Sequence, residues 1–146
     1  CMEIPEARRK AESIHIEYKQ HLISGLEFAE NSPKIEEKGL VIINAKNKIK
    51  DTIVGTIASI LSNSSVYEEG TMLTTMAYYE DKIKISARNV GRSGRNVREI
   101  LEAVINNIGG EVGGHEFAAG CIIKRENEKA FIEHLRKACE IELVKV

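Results

Sequence analysis

The sequence predicts an α/β (α+β) sandwich: a mixed sheet of about five strands flanked by helices. Three observations lead there. Gly39-Leu-Val-Ile-Ile-Asn44 is a continuous apolar run between charged and turn residues, the pattern of a buried strand. Thr71 to Tyr79 and Lys82 to Ala87 read as two more strands, with only Glu80 and Asp81 between them. Around these runs, apolar residues recur three and four apart, the spacing of a helix face. Runs of both kinds in one short chain build layers of sheet and helix.

The first predicted element is an amphipathic helix from Pro5 to about Ala29, with Ala7, Ala11, Ile14, Tyr18, Leu22, Gly25 and Ala29 on one stripe. It is either a connector from an upstream domain or a terminal helix packed on this domain's own sheet. Asn31-Ser-Pro33 ends it. After the Gly39 strand, Asp51 or Thr52 is the expected cap of a helix reaching about Ser62, with Ile53, Ile57, Ile60 and Leu61 inward. The hairpin follows; in its second strand Ile83 and Ile85 face one way and Lys82, Lys84 and Ser86 the other. Asn96 to Ile108 is the next helix, stopped by Gly109-Gly110. Gly120 to Lys124 reads as a strand, Asn127 to about Glu140 as a helix, and Ile141 to Val146 as a last strand.

Composition limits the functional classes. The 146 residues fit one domain of ordinary size, and 42% hydrophobic content is enough for a core. A formal net charge of -1 gives no global case for a nucleic-acid partner, so any such case rests on local asymmetry. No Trp, three Phe and four Tyr leave few platforms for binding by base stacking alone. Cys1, Cys121 and Cys139 form no C-x-x-C pair, which points to a reduced, cytoplasmic protein without a structural zinc. No apolar run is long enough to span a membrane, and there is no secretory pattern. A first residue of Cys rather than Met gives the expectation of a fragment or processed chain, with chemistry in a missing neighbour.

Charge is concentrated in one place. From Lys82 to Arg98 there are two lysines and four arginines and no Asp or Glu. Arg88, Arg92, Arg95 and Arg98 sit among Ser, Gly and Asn. Arginine offers a fixed fork of donors that matches phosphate oxygens. Gly91 and Gly94 would let the backbone approach a ligand, and the loop ends where the Asn96 helix would present free N–H groups. These features point to an anion site that includes Arg92, Ser93 and Arg95. The alternative is a solvated basic loop paired with Glu99 and Glu102.

A second feature is Glu111-Val-Gly-Gly-His115-Glu-Phe-Ala-Ala-Gly120. Small residues on both sides of His115 imply close backbone approach. Either the histidine touches a phosphate or ribose through a ring N–H, or it sits in a tight turn satisfied by a carbonyl. His15, His21 and His134 show no metal-ligand spacing, and Asp51 and Asp81 are the only aspartates. Ser86, Ser93 and Cys121 lack a visible triad.

Taken together, Lys84-Ile-Ser-Ala-Arg88, the helix Val97 to Ile108 and Gly113-Gly-His115-x-x-Ala-Ala-Gly120 resemble the DHH-associated domain of DHH-type phosphoesterases. The flavour is that of archaeal-type RecJ-like single-strand nucleases, and Val54-Gly-Thr-Ile-Ala-Ser59 is similar to the helix before the hairpin in that group. The resemblance covers about Gly39 to Val146. It implies a substrate-binding domain at residues 33–146, with residues 1–32 as the connecting helix from a catalytic DHH domain absent from this chain. By position, Gly113, Gly114 and His115 would form the substrate turn and Arg88 the phosphate-binding arginine. Val112 stands where many members carry a third glycine. The metal ions, manganese or magnesium, would belong to the missing domain; no catalytic or metal-binding residue is expected here, because no Asp-His-His occurs.

The expected partners are single-stranded nucleic acid and the upstream DHH domain, with replication proteins or a second copy of the chain as further candidates and no membrane. The chain alone is expected to bind nucleic acid weakly, at about 10⁻⁴ to 10⁻⁶ M, and not to cleave it. Two alternatives stay open. One is a substrate domain for short oligonucleotides, nucleoside bisphosphates or cyclic dinucleotides. The other is an oligomerisation or partner-docking module, including a tRNA-linked role, since a related domain ends alanyl-tRNA synthetases.

Overall fold

The computed structural model describes residues 4–92 and 94–144. The elements run α1 (Ile4–Asn31), β1 (Ile35–Glu37), β2 (Leu40–Asn44), α2 (Val54–Ser62), β3 (Met72–Tyr79), β4 (Lys82–Asn89), α3 (Val97–Ile108), β5 (Glu111–Gly114), β6 (Ala118–Lys124), a 3-10 turn (Arg125–Asn127) and α4 (Glu128–Val144). The strands form one six-stranded sheet in the order β1-β2-β3-β4-β6-β5. Only β2 and β3 pair in parallel, joined through α2; the other pairs are antiparallel. The mixed sheet with flanking helices is the predicted fold class.

Side-chain alternation gives the sheet two faces. Leu40, Ile42, Met72, Met76, Ile83, Ile85, Ala119, Cys121 and Ile123 point to one face and pack under α3 and α4. Val41, Ile43, Leu73 and Ala77 point to the other and pack with Val54, Ile57 and Ala58 of α2 and Ala29 of α1. In α3, Val97, Ile100, Leu101, Val104 and Ile105 are buried at helical spacing. Burying five such side chains contributes on the order of 10 kcal/mol, so a charge at Leu101 would detach the helix. Asn96 caps α3 by accepting from the Glu99 N–H at 3.1 Å.

Five details depart from the sequence reading. The predicted last strand is helix: α4 continues through Val144, and residues 145 and 146 lie outside the described chain. No Gly or Pro follows Asn127, so nothing stops a helix whose row Phe131, Leu135, Cys139 is buried. Two strands went unread: β1 has three residues, and β5 is half glycine. Neither Asp51 nor Thr52 caps α2; Ile53 is the N-cap, with no side-chain hydrogen bond. Ile60 is exposed rather than inward. In α1 the stripe packs only near its C-terminal end, where Gly25 and Ala29 are buried, while residues 5–20 are all exposed.

The β3–β4 hairpin has the expected two-residue turn, and Glu80 adopts φ 54°. That left-handed conformation is costly for glutamate. Arg125 offsets the cost: its backbone N–H donates to the Asp81 carbonyl at 2.9 Å and its Nη1 to the Glu80 carbonyl at 3.1 Å. The Arg125 guanidinium also stacks 3.9 Å from the Tyr78 ring centre. The Tyr78 hydroxyl donates to Glu128 at 2.5 Å, and Asn44 Nδ2 donates to the same carboxylate at 2.9 Å.

Candidate phosphate-binding site

Strand register brings the two sequence features together. On the face shared with α2, β4 presents Lys82, Lys84, Ser86 and Arg88, paired with Lys124, Ile122, Gly120 and Ala118 of β6. Gly113 of β5 pairs with Gly120. Because Ala118 and Gly120 stand opposite Arg88 and Ser86, nothing bulky covers that part of the sheet. The result is an open cavity of about 390 Å³ lined by Ser86, Arg88, Gly113, Gly114, His115 and Ala118 with their small neighbours.

Arg88 is the charged floor of this cavity. It is half-buried, and its Nη1 donates to the Ala87 carbonyl at 3.0 Å and its Nη2 to the Gly55 carbonyl at 3.5 Å. Burial lowers its pKa from the ordinary guanidinium value. Among the described residues, no carboxylate forms an ion pair with it. A half-buried cation with only carbonyl partners favours an incoming anion. Gly55, in the first turn of α2, closes the other side: a Cβ there would lie 3.3 Å from Ser86 Oγ and 3.5 Å from Arg88 Nη2. The first turn of α2, which no side chain caps, therefore lies beside Ser86 and Arg88.

The turn after β5 sets the histidine. Gly114 has φ 108°, and a Cβ on it would collide with the Ala118 carbonyl oxygen and lie 2.5 Å from Ala119 Cα. Only glycine fits there. The His115 N–H donates to the Ala118 carbonyl at 2.8 Å. Its ring Nδ1 accepts from the Phe117 N–H at 3.3 Å. In the neutral ring this leaves the proton on Nε2, so an exposed donor faces outward. From behind, Arg98 holds the turn: its Nη1 donates to the Gly114 carbonyl at 2.6 Å, while its Nε pairs with Glu102 at 2.9 Å.

The arginine loop does not join this site as a unit. Arg95 is turned to the scaffold, with Nη1 donating to the Cys139 carbonyl at 3.1 Å and Nη2 to the Gly39 carbonyl. Arg92 is exposed and does not line the cavity. Ser93 lies outside the described residues. Gly91 and Gly94 serve packing rather than ligand approach, since a Cβ would collide with the Glu69 side chain or with Asn89 Oδ1. The N-terminus of α3 is occupied too: Asn96 takes the Glu99 N–H, and the Glu116 carbonyl takes the Val97 N–H at 2.9 Å. Of the positions singled out from sequence, Arg88, Gly113, Gly114 and His115 converge. Ser86, which the sequence places on the Lys82–Lys84 face without a ligand role, joins them because it sits two residues before Arg88 on that face.

Among the described residues, no group of three or more His, Cys, Asp or Glu side chains could hold a metal ion. Among the described residues, no helix is long and apolar enough to cross a membrane. Cys121 and Cys139 are both buried, and Cys139 Sγ lies 3.8 Å from Met72 Sδ.

The comparisons agree with this fold. The C-Ala domain of Aquifex aeolicus alanyl-tRNA synthetase superposes with a TM-score of 0.57 at 12% identity, over 73% of this chain and 97% of that one. RecJ from Thermus thermophilus in complex with Mg2+ superposes with a TM-score of 0.67 at 15% identity, over 96% of this chain and 21% of RecJ. The same protein with Mn2+ gives 0.66 at 15% identity, over 96% and 20%. The chain thus spans about a fifth of RecJ. No curated protein matches it in sequence. Residues 37–140 match the DHHA1 domain family, and the chain belongs to that family.

Proposed function

We propose that this chain is the substrate-binding half of a DHH-type, RecJ-like phosphoesterase of the archaeal flavour, seating a terminal phosphate of single-stranded nucleic acid against Arg88, Ser86 and the Gly113–His115 turn. The observation that carries this reading is Arg88: a half-buried guanidinium without a carboxylate, at the floor of a cavity kept open by Ala118 and Gly120. Arg88 supplies charge and a planar fork, Ser86 Oγ a short donor, and His115 Nε2 a directional N–H at the rim. None of these groups is an activated nucleophile or a metal ligand. The chain's contribution is therefore to hold and orient a phosphate whose hydrolysis occurs elsewhere.

In this reading residues 1–32 link the domain to a catalytic DHH domain, and the exposed first half of α1 is the link's surface. Manganese or magnesium would act in that catalytic domain, and the whole protein would serve nucleic-acid repair or replication in the cytoplasm. The Thermus RecJ complexes with Mg2+ and Mn2+ support the metal assignment by likeness of fold.

The test is fluorescence anisotropy with 5′-phosphorylated oligothymidylates. Wild-type chain should bind in a salt-sensitive way, and Arg88→Ala and His115→Ala should each weaken binding. Equal binding by all three proteins, with circular dichroism unchanged, would overturn the assignment. Manganese-dependent cleavage by the isolated chain after chelator treatment would overturn the division of labour.

A further inference from the structure

The phosphate cavity does not end the open part of the sheet. Beyond Ser86 the α2-side face continues along β4 and β6 to the hairpin end. A second concavity lies next along it, sharing Ser86, Gly113 and Gly120 with the first and adding Lys84, Glu111 and Ile122. Further on, Lys82 pairs with Lys124 of β6 and with Tyr79 of β3, so all three side chains are on this face. Lys82, Lys124, Ile122 and Tyr79 are exposed, Tyr79 at 51%, and Lys84 is half-exposed.

We infer that this face is a track for a single-stranded polynucleotide, running from the Arg88–His115 cavity past Lys84 to Lys82, Lys124 and Tyr79. The inference rests on reading the cavity as a phosphate seat, and it extends that site to a substrate longer than a dinucleotide.

Charge argues for the occupant. Arg88, Lys84, Lys82 and Lys124 share the face; Glu111 is the one acidic side chain at a paired position on β4, β5 or β6 there, and Glu126 lines a concavity with Lys82 and Lys124, so four cations face two carboxylates. Among the described residues, Lys82, Lys84 and Lys124 take part in no hydrogen bond or ion pair, so their ammonium groups are not committed to protein carboxylates. The chain as a whole is at -1, so this row is a local asymmetry rather than a share of a general excess.

Spacing argues for an extended strand. Side chains on one face repeat about every 6.7 Å along a strand, and the six steps from Lys82 to Arg88 cover about 20 Å. Cations repeating at that interval can meet successive phosphates of an unstacked chain. Tyr79 adds an exposed ring at the far end, where a base can stack without regard to sequence. Ile122, between Lys84 and Glu111, gives an apolar patch for a sugar or base. The face therefore reads backbone charge and length, not sequence.

The experiment is anisotropy with the chain as it is, using 3′-labelled, 5′-phosphorylated dT10, rU10 and the dinucleotide pdTpdT across a salt series. Four proteins are compared: wild type, the triple variant Lys82→Gln/Lys84→Gln/Lys124→Gln, Tyr79→Ala and Arg88→Ala. The substituted lysines and Tyr79 are at least partly exposed, and circular dichroism confirms the fold. The triple variant should bind the decamers about tenfold more weakly, and the slope of log K against log salt should fall by about 2, from about 0.7 per lost phosphate contact. Its binding of pdTpdT should not change. Tyr79→Ala should weaken only the decamers. Losses on both decamers support a track that reads phosphates; a loss on one alone supports a track that also reads the sugar. Unchanged decamer binding and slope in the triple variant, while Arg88→Ala is impaired, overturns the track and leaves the phosphate seat standing. Unchanged pdTpdT binding in Arg88→Ala overturns the phosphate seat and the track's starting point together.

Discussion

Arg88 stands directly opposite Ala118 across the β4–β6 ladder, so the methyl group of the partner leaves the guanidinium uncovered on the α2 side of the sheet. Its Nη2 reaches back only to the Gly55 carbonyl, at 3.5 Å. Arg88→Ala should weaken binding of a 5′-phosphorylated dinucleotide by about 1.5–3 kcal/mol, the range for a hydrogen bond to a charged group. Arg88→Lys should restore only part of it, because an ammonium lacks the planar fork. Isothermal titration calorimetry on the three proteins checks both statements.

Gly113 and Gly114 are neighbours with opposite demands. A Cβ on Gly114 would strike backbone at φ 108°, whereas at Gly113 it would meet nothing within 4 Å. Gly114→Ala should cost about 1–3 kcal/mol of stability, the usual range for a residue forced into a sparsely populated conformation. Gly113→Ala should leave the urea midpoint nearly unchanged and act only on binding, because its methyl group enters the cavity. Chemical denaturation of the two variants separates the roles.

Arg95 was a candidate ligand by charge, yet its guanidinium joins the Gly39 and Cys139 carbonyls. Arg95→Ala should lower stability by about 1.5–3 kcal/mol and leave dinucleotide affinity intact once the protein is folded. A thermal melt paired with a titration below the melting range tests this.

The Cys121 thiol, on the α3–α4 side of β6, is pushed by burial from 9.0 up to about 12. A thiol whose pKa is raised by folding leaves stability intact below the unfolded value. The unfolded chain then loses its proton first as pH rises. Stability should therefore fall between about pH 9 and 12, by up to about 1.4 kcal/mol per pH unit from this group. Cys121→Ala should flatten that part of the profile. In the native protein at pH 8, Cys121 should resist alkylation, read by peptide mass spectrometry.

Much of this was legible in the residues, for identifiable reasons. The apolar run before Asn44 and the alternation in Lys82–Ala87 are strong periodic signals, and Gly109-Gly110 is a plain helix stop. β5 was not legible because its ladder is made by backbone, and glycine carries no strand signal. The end of α4 misled because Ile141 to Val146 has β-favouring residues, while the missing stop signal counted for more. In the arginine loop, charge and glycine were read as ligand chemistry. Charge alone does not tell an arginine that meets solvent from one that bonds two carbonyls. The pairing of Arg88 with the Gly-Gly-His turn is a consequence of the β4–β6–β5 register, which no local pattern encodes.

The most direct measurement is the change in backbone amide resonances of the ¹⁵N-labelled chain as a 5′-phosphorylated dinucleotide is added. The predicted result is a cluster of shifts at Gly55, Ser86, Arg88, Gly113, Gly114, His115 and Ala118, lost in Arg88→Ala. Shifts confined to Arg92 and the start of α3, with the Gly113–His115 turn silent, would contradict the phosphate seat.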